Sequence, residues 1–475
     1  MKTWLLLSAA LMAAPIAAHA QEVSIDSGRI RGSTADGVAA WKGIPFAAAP
    51  VGDLRWRAPQ PAPKWSDVKD TTAYRNDCMQ VPFPSDAAPL GTPPAEDCLY
   101  MNVWKPANAA ASAKLPVLVW IYGGGFVNGG SSPPTYAGAD VASQGVVFVS
   151  FNYRVGRFGT FAHPQLTKAN ADGGRLGNYG TMDQVAALEW VKRNIAAFGG
   201  DPSKVTIMGE SAGGMSVNTL LASPDAKGLF RGAIIMSGAD ATAAGNPALN
   251  TAAVEKIGTD FAASKGIAAD DPQALTKLRA LSAEQVTDGL NMMALFRPAA
   301  GPPTFTMPYT DGRVNVALAP AFASGNINKV PVMIGATSAD MGGKTGMMVA
   351  GARNTAAALA KQGVPTYAYR FSYVAQSLNK DGQAGHATDI PFFLDTADIK
   401  YQAKTTARDT GMGKTISKYV VNFAKTGDPN GAGLPAWPKY TAANDVIMDF
   451  AGDGMAMPGK DPWGAELDAA KVAAR

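Results

Sequence analysis

The stretch Val205-Thr206-Ile207-Met208-Gly209-Glu210-Ser211-Ala212-Gly213 runs from a short apolar, β-prone segment straight into a serine set among small residues. Such a run predicts a buried strand. The small residues after it predict a sharp turn into a helix, with Ser211 at the corner, which is a nucleophile-elbow arrangement. Small side chains are needed on both sides because the turn is strained and the chain passes close to its neighbours. The result is an exposed hydroxyl on a stiff support.

A G-x-S-x-G pentapeptide arises by chance in a chain with 51 glycines, so its surroundings decide the reading. Upstream, residues 181–198 place Val185, Leu188, Ile195 and Phe198 on one helical face, and Gly199-Gly200-Asp201-Pro202 stops that helix. Helix, turn, strand, serine, helix is the order the elbow requires. Apolar runs at 115–122, 146–153, 204–208, 233–236, 330–334 and 367–373 read as strands covered on both faces. Alternation of these runs with helical stretches predicts an α/β sheet with helices on both sides.

Composition narrows the classes further. Charge is nearly balanced, with 42 Lys+Arg against 38 Asp+Glu, and no basic run marks a nucleic-acid or anionic-membrane partner. Lys2, the apolar run from Trp4 to Ala14 and Ala18-His19-Ala20 form the pattern of a cleavable signal over residues 1–20. That run falls short of the ~20 residues a membrane span needs, and no later segment is long and apolar enough. The expectation is a secreted or periplasmic protein whose residues 21–475 form one domain, since no linker or repeat divides them.

Several segments together resemble the type-B carboxylesterase family, which includes the cholinesterases and has the α/β-hydrolase fold. Beside Phe198-Gly199-Gly200-Asp201-Pro202 and the elbow stand Gly43-Ile44-Pro45-Phe46, Pro50-Val51-Gly52-Asp53-Leu54-Arg55-Trp56 and Glu96-Asp97-Cys98-Leu99-Tyr100-Met101-Asn102-Val103. Asn152-Tyr153-Arg154-Val155-Gly156, Gly177-Asn178-Tyr179-Gly180 and Asn422-Phe423-Ala424-Lys425-Thr426-Gly427-Asp428-Pro429 extend the match over almost the whole chain. The resemblance implies a large, mostly parallel central sheet with helices on both faces and a small N-terminal antiparallel edge. It also implies ester hydrolysis by a serine, a general base and an acid, with no cofactor and no metal.

A serine hydroxyl needs a base to take its proton and a third group to orient that base. The chain has three histidines, and His19 lies in the signal, leaving His163 and His386. His163 reads as an ordinary surface or loop residue, whereas His386, in Gly385-His386-Ala387-Thr388-Asp389, resembles the family's histidine loop. The acid's place after the strand at 330–334 falls on Asp340, where the family more often has the longer Glu. Asp311 and Asp389 are the competing acids and read as structural. The order Ser211, Asp340, His386 matches this fold.

Tyr122-Gly123-Gly124-Gly125-Phe126 supplies unhindered backbone N–H groups after a strand. It resembles the family's oxyanion loop and implicates the amides of Gly124 and Gly125 with that of Ala212. A phosphate-binding loop is excluded because no Gly-Lys-Ser/Thr ending follows. Glu210, pointing away from Ser211, reads as hydrogen-bonding support, and Ser237 resembles a family serine that hydrogen-bonds near the acid and the histidine. Arg55 and Glu96 match a salt bridge of the family fold.

An even cysteine count in an exported chain suggests that Cys78 and Cys98 pair, and the resemblance implies the same disulfide. Two cysteines with no nearby histidine do not complete a zinc sphere. Met292-Met293, Leu295-Phe296 and Met347-Met348 fall where the family builds its pocket walls, though ordinary packing accounts for them equally well. The expected substrate is a small carboxylic ester and the expected state a monomer. Amides, lactones or polyesters by the same mechanism, or a catalytically silent adhesion protein on the same fold, are the alternatives.

Overall fold

The computed structural model describes residues 21–83, 88–297, 301–378 and 383–473. The expected signal at 1–20 lies outside the described residues.

Eleven strands make the main sheet: β1 (Ser33–Ala35), β2 (Val38–Pro45), β3 (Tyr100–Pro106), β4 (Leu115–Ile121), β5 (Val147–Phe151), β6 (Gly200–Glu210), β7 (Gly232–Met236), β8 (Val332–Thr337), β9 (Thr366–Phe371), β10 (Val446–Phe450) and β11 (Ala456–Lys460). Their order across the sheet is β1-β2-β3-β5-β4-β6-β7-β8-β9-β10-β11. Every pairing from β5 through β10 is parallel, while β1, β2 and β3 form an antiparallel edge and β11 closes the other side antiparallel. A separate small sheet joins Glu22–Ile25, Gly28–Arg31 and Lys69–Asp70. Helices cover both faces, so the central strands are apolar throughout: Val117 to Ile121 and Val147 to Val149 are fully buried.

β6 sits at the middle, paired with β4 on one side and β7 on the other. It begins at Gly200, earlier than the apolar run alone predicts, because Gly200 already pairs with Leu115 before an irregularity that ends at Val205. The preceding helix, α1 (Tyr179–Asn194), ends in a 3-10 turn over Ile195–Phe198, and Gly199 closes it at φ 83°. Val185, Leu188, Ile195 and Phe198 are all buried on the face predicted for them. The helix after the elbow, α2 (Ala212–Ala222), lies against β6 and β7.

Cys78 and Cys98 form a disulfide across 20 residues. In the chain-entropy treatment a loop of this length contributes about 3 kcal/mol by restricting the unfolded chain. Reduction is therefore expected to lower the stability measured by urea unfolding by about that amount; unchanged stability on full reduction would contradict this.

Arg55 and Glu96 make a two-bond ion pair at 2.6 Å each, and the other arm of Arg55 donates to the carbonyls of Leu278, Arg279 and Leu281. This pair ties the N-terminal segment to the helical insertion at 251–297. Arg157 reaches the same insertion, donating to the carbonyl of Thr287, and donates also to that of Thr304 beyond it.

Candidate active site

At the end of β6, Ser211 takes φ 54° and ψ −122°, a backbone state that costs a non-glycine residue energy and persists only where the surroundings enforce it. Close packing provides that enforcement. A Cβ on Gly209 would stand 2.4 Å from the Gly213 carbonyl oxygen, and one on Gly213 would stand 2.1 Å from that of Ile121. The Ser211 N–H donates to Met236 O at 3.0 Å, fixing the corner to β7.

Asp340 follows β8, and His386 lies in the loop after β9. Ser211 Oγ is 2.9 Å from His386 Nε2, and His386 Nδ1 is 2.6 Å from Asp340 Oδ1. The shorter aspartate reaches because its loop is bonded directly to the loop that carries His386. Ala339 forms a parallel bridge with Gly385, Ala339 N–H donates to Ala384 O at 2.7 Å, and Ala384 N–H donates to Ser338 Oγ at 3.1 Å. The loops of the acid and the histidine are thus joined by a backbone bond and by one from backbone to the Ser338 side chain.

Asp340 is held from every side. Its Oδ1 accepts from Met341 N–H at 2.7 Å, and its Oδ2 from Ser237 Oγ at 2.6 Å, Thr337 Oγ1 at 2.9 Å and Thr337 N–H at 3.2 Å. Burial opposes its charge, but the bonds from His386, Ser237 and Met341 outweigh that and hold the carboxyl below its ordinary range.

Contrary to the expectation from the sequence, the Glu210 side chain does not turn away from Ser211. Its Oε1 lies 3.4 Å from His386 Nε2, the nitrogen that also faces the serine. For His386, burial disfavours the charged ring, yet Glu210, Asp340 and Asp389 together override it and raise the pKa to about 9. Burial, with Asp340 nearby, pushes the Asp389 carboxyl up, and its Oδ2 accepts from Tyr369 Oη at 3.4 Å. Asp311 lies in a turn, where its Oδ1 accepts from the N–H groups of Arg313, Val314 and Asn315. His163 is buried rather than on the surface, and its Nδ1 accepts from Gln165 N–H at the start of a short helix.

The glycine loop passes directly over the elbow: a Cβ on Gly123 would stand 2.9 Å from Ser211 Cβ. Gly124 and Gly125 have φ of 105° and 61°, in the region that favours glycine. Among the described residues, the N–H groups of Gly124, Gly125 and Ala212 have no hydrogen-bond acceptor. Ala212 opens α2, where an unpaired N–H and the helix dipole both favour negative charge.

The model of the carboxylesterase family matches residues 19–350 and 343–460. The chain belongs to the carboxylesterase family. This carboxylesterase is 35% identical to the para-nitrobenzyl esterase of Bacillus subtilis, over 88% of this chain and 92% of the relative. It is 33% identical to carboxylesterase 1C of Rattus norvegicus, over 85% and 84%. A solved PNB esterase structure superposes with a TM-score of 0.81 at 31% identity, covering 95% of this chain and 99% of the other. The protein is a carboxylic ester hydrolase with the α/β-hydrolase fold.

A cleft of about 1150 Å³ in this carboxylesterase is lined by Asp240, Phe322, Met347, Asn354 and Leu467 and contains none of these groups. Asn354 Nδ2 donates to Asp240 there, so the chemistry is not assigned to it. An apolar pocket of about 110 Å³ instead adjoins the histidine loop at Ala387, Thr388, Ile390, Leu378 and Tyr401. Met292 and Leu295 of the short helix α3 (Met292–Leu295) lean on Gly125, whose Cβ would meet Met292 Sδ at 2.5 Å. Met347 and Met348 lie elsewhere, the first lining the large cleft and the second buried in the core.

Sequence reading missed Thr337 and Met341 as partners of the acid. A threonine three residues before Asp340 is the signal that was available.

Proposed function

We propose that the mature chain, residues 21–475, is an exported single-domain monomer that hydrolyses small carboxylic esters through Ser211, His386 and Asp340. His386 takes the Ser211 proton as Oγ attacks the ester carbonyl carbon, and the carbonyl π pair moves onto oxygen. The N–H groups of Gly124, Gly125 and Ala212 receive that oxyanion. Collapse expels the alcohol, which leaves with the proton from His386, and water then releases the acid from Ser211 by the same steps. Asp340 holds the ring's tautomer and offsets its charge. Ser237 and Thr337 in turn hold Asp340.

The observation that carries this reading is the hydrogen-bonded chain Asp340, His386, Ser211 beside three N–H groups with no acceptor among the described residues. Met292 and Leu295 suit the role of an acyl wall, since a flexible thioether adapts to varied apolar groups. The test is p-nitrophenol release from esters of increasing acyl length. A pre-steady-state burst equal to the enzyme concentration is expected wherever deacylation limits turnover. Absence of turnover on every ester by folded, disulfide-intact enzyme would overturn the reading.

The electrostatics carry a second prediction. Only the neutral ring acts as base, and its pKa stands near 9, so kcat/KM is expected to rise with pH through that value rather than near the ordinary 6.5. Glu210→Gln removes the carboxylate next to Nε2, so this rising limb should move to lower pH. A limb unmoved by this substitution would show that Glu210 does not set the base.

A further inference from the structure

We propose that Asn128 and Gln80 are positioning residues that hold the Gly124–Gly125 peptide in the orientation able to receive an oxyanion, and that they tie this peptide to α3. The inference rests on the reading of Gly124 and Gly125 as oxyanion donors.

The Gly124–Gly125 peptide is held through its own carbonyl. Gly124 O accepts from Val127 N–H at 3.1 Å and from Asn128 N–H at 2.9 Å. The peptide unit is planar and trans, so a carbonyl turned into the loop sends the Gly125 N–H the opposite way, out of the loop's interior. With glycine on both sides, the backbone imposes little barrier to the flipped peptide, which would present the carbonyl instead. Beside the bond from Gly156 N–H to Phe126 O at 2.7 Å, the flip is opposed by the groups that hold residues 127–129.

Those groups are two buried amides. Asn128 and Gln80 are 1% and 3% exposed. Asn128 Nδ2 donates to Gln80 Oε1 at 3.1 Å and to Val81 O at 2.8 Å. Gln80 Oε1 also accepts from Gly129 N–H at 2.9 Å, and its Nε2 donates to Gly129 O at 2.7 Å and to Cys78 O at 2.9 Å. Gln80 thus pairs with both polar groups of Gly129, as a neighbouring strand would. All four side-chain N–H bonds of the two residues are used.

The remaining atom reaches toward the substrate side. Asn128 Oδ1 accepts from Met292 N–H at 2.8 Å, the first residue of α3, whose side chain leans on Gly125. Rotating the Asn128 amide would set Oδ1 against Gln80 Oε1 and Val81 O, and Nδ2 against the Met292 N–H. All three contacts then become repulsive, so only one orientation fits. A continuous path runs from the disulfide at Cys78 through Gln80 and Asn128 to Gly124, and from Asn128 to the wall of the acyl side. A fully satisfied buried amide network of this kind rigidifies what it touches.

The test compares Asn128→Ala, the equal-sized Asn128→Asp and Gln80→Ala with wild type. Each enzyme is titrated to completion with an organophosphonate, so that all rates refer to reactive sites. Two quantities are read: kcat and KM for p-nitrophenyl butyrate, and Ki for an alkyl trifluoromethyl ketone. With that ketone, Ser211 Oγ adds to the carbonyl carbon, the π pair becomes the oxyanion and the proton passes to His386. Loss of a whole oxyanion donor costs about 10² to 10³ in kcat. Misplacing one is expected to cost about 10-fold or more, with KM within about twofold and the ketone Ki weakened by the same factor as kcat. Asn128→Asp keeps the Met292 contact but aims an oxygen at Gln80 Oε1 and Val81 O, and is expected to lose at least as much as Asn128→Ala.

A loss confined to the number of titratable sites, with kcat per site and Ki unchanged, would overturn the proposal and make the pair merely structural. A wild type that binds the trifluoromethyl ketone no better than the matching methyl ketone would overturn the oxyanion reading itself. These two failures are distinguishable.

Discussion

Ser211→Ala is expected to lower kcat for p-nitrophenyl esters by about 10⁵-fold or more, the scale of losing a triad nucleophile whose partners act as a unit. Glu210 does not substitute for the hydroxyl: it is acceptor-only when ionised and lies against His386. The fold should survive, because Ser211 gives the structure its backbone N–H bond to Met236, which alanine retains. A thermal unfolding midpoint close to wild type, measured beside the activity, separates chemical loss from unfolding. Residual turnover within about 100-fold of wild type would place the nucleophile elsewhere.

Asp340→Asn is expected to cost about 10⁴ in kcat, since an amide in this place favours the wrong ring tautomer. The carboxylate accepts five bonds, from His386, Ser237, Met341 and twice from Thr337. An asparagine amide nitrogen turned to Ser237 and Thr337 meets the backbone N–H of Thr337. Turned instead to His386, it demands that Nδ1 accept, which leaves the proton on Nε2 facing Ser211, where it blocks proton removal. The effect should appear in kcat with little change in KM, and a loss confined to KM would contradict it. Removing this negative charge also takes away one of the groups that raise His386, so any remaining activity should rise at a lower pH than in wild type.

Ser211 and the strand before it were legible in the sequence because the elbow is a local device. Its strand, glycines and helix are contiguous, and their close backbone approaches admit few other residues. The sheet was legible for a related reason: strands buried on both faces leave unbroken apolar runs. Asp340 was harder, since nothing in its neighbourhood says how far the loop lies from His386. The bridge between Ala339 and Gly385 joins positions 46 residues apart, and backbone pairing of that kind leaves no side-chain signature.

The direction of the Glu210 side chain was not legible, because a turn of unusual φ at Ser211 redirects the side chains on either side of it. The buried amides of Gln80 and Asn128 were invisible for a different reason. Glutamine and asparagine are ordinary surface residues, and only the fold reveals that these two are enclosed and paired.

The most direct test of the central claim is covalent labelling of the purified protein with a fluorophosphonate, read by intact mass and by peptide mapping. The expected result is one label per chain, carried by Ser211, with loss of esterase activity in proportion to labelling and no label on Ser211→Ala. Labelling at another serine, or full labelling of Ser211 with esterase activity retained, would contradict the account.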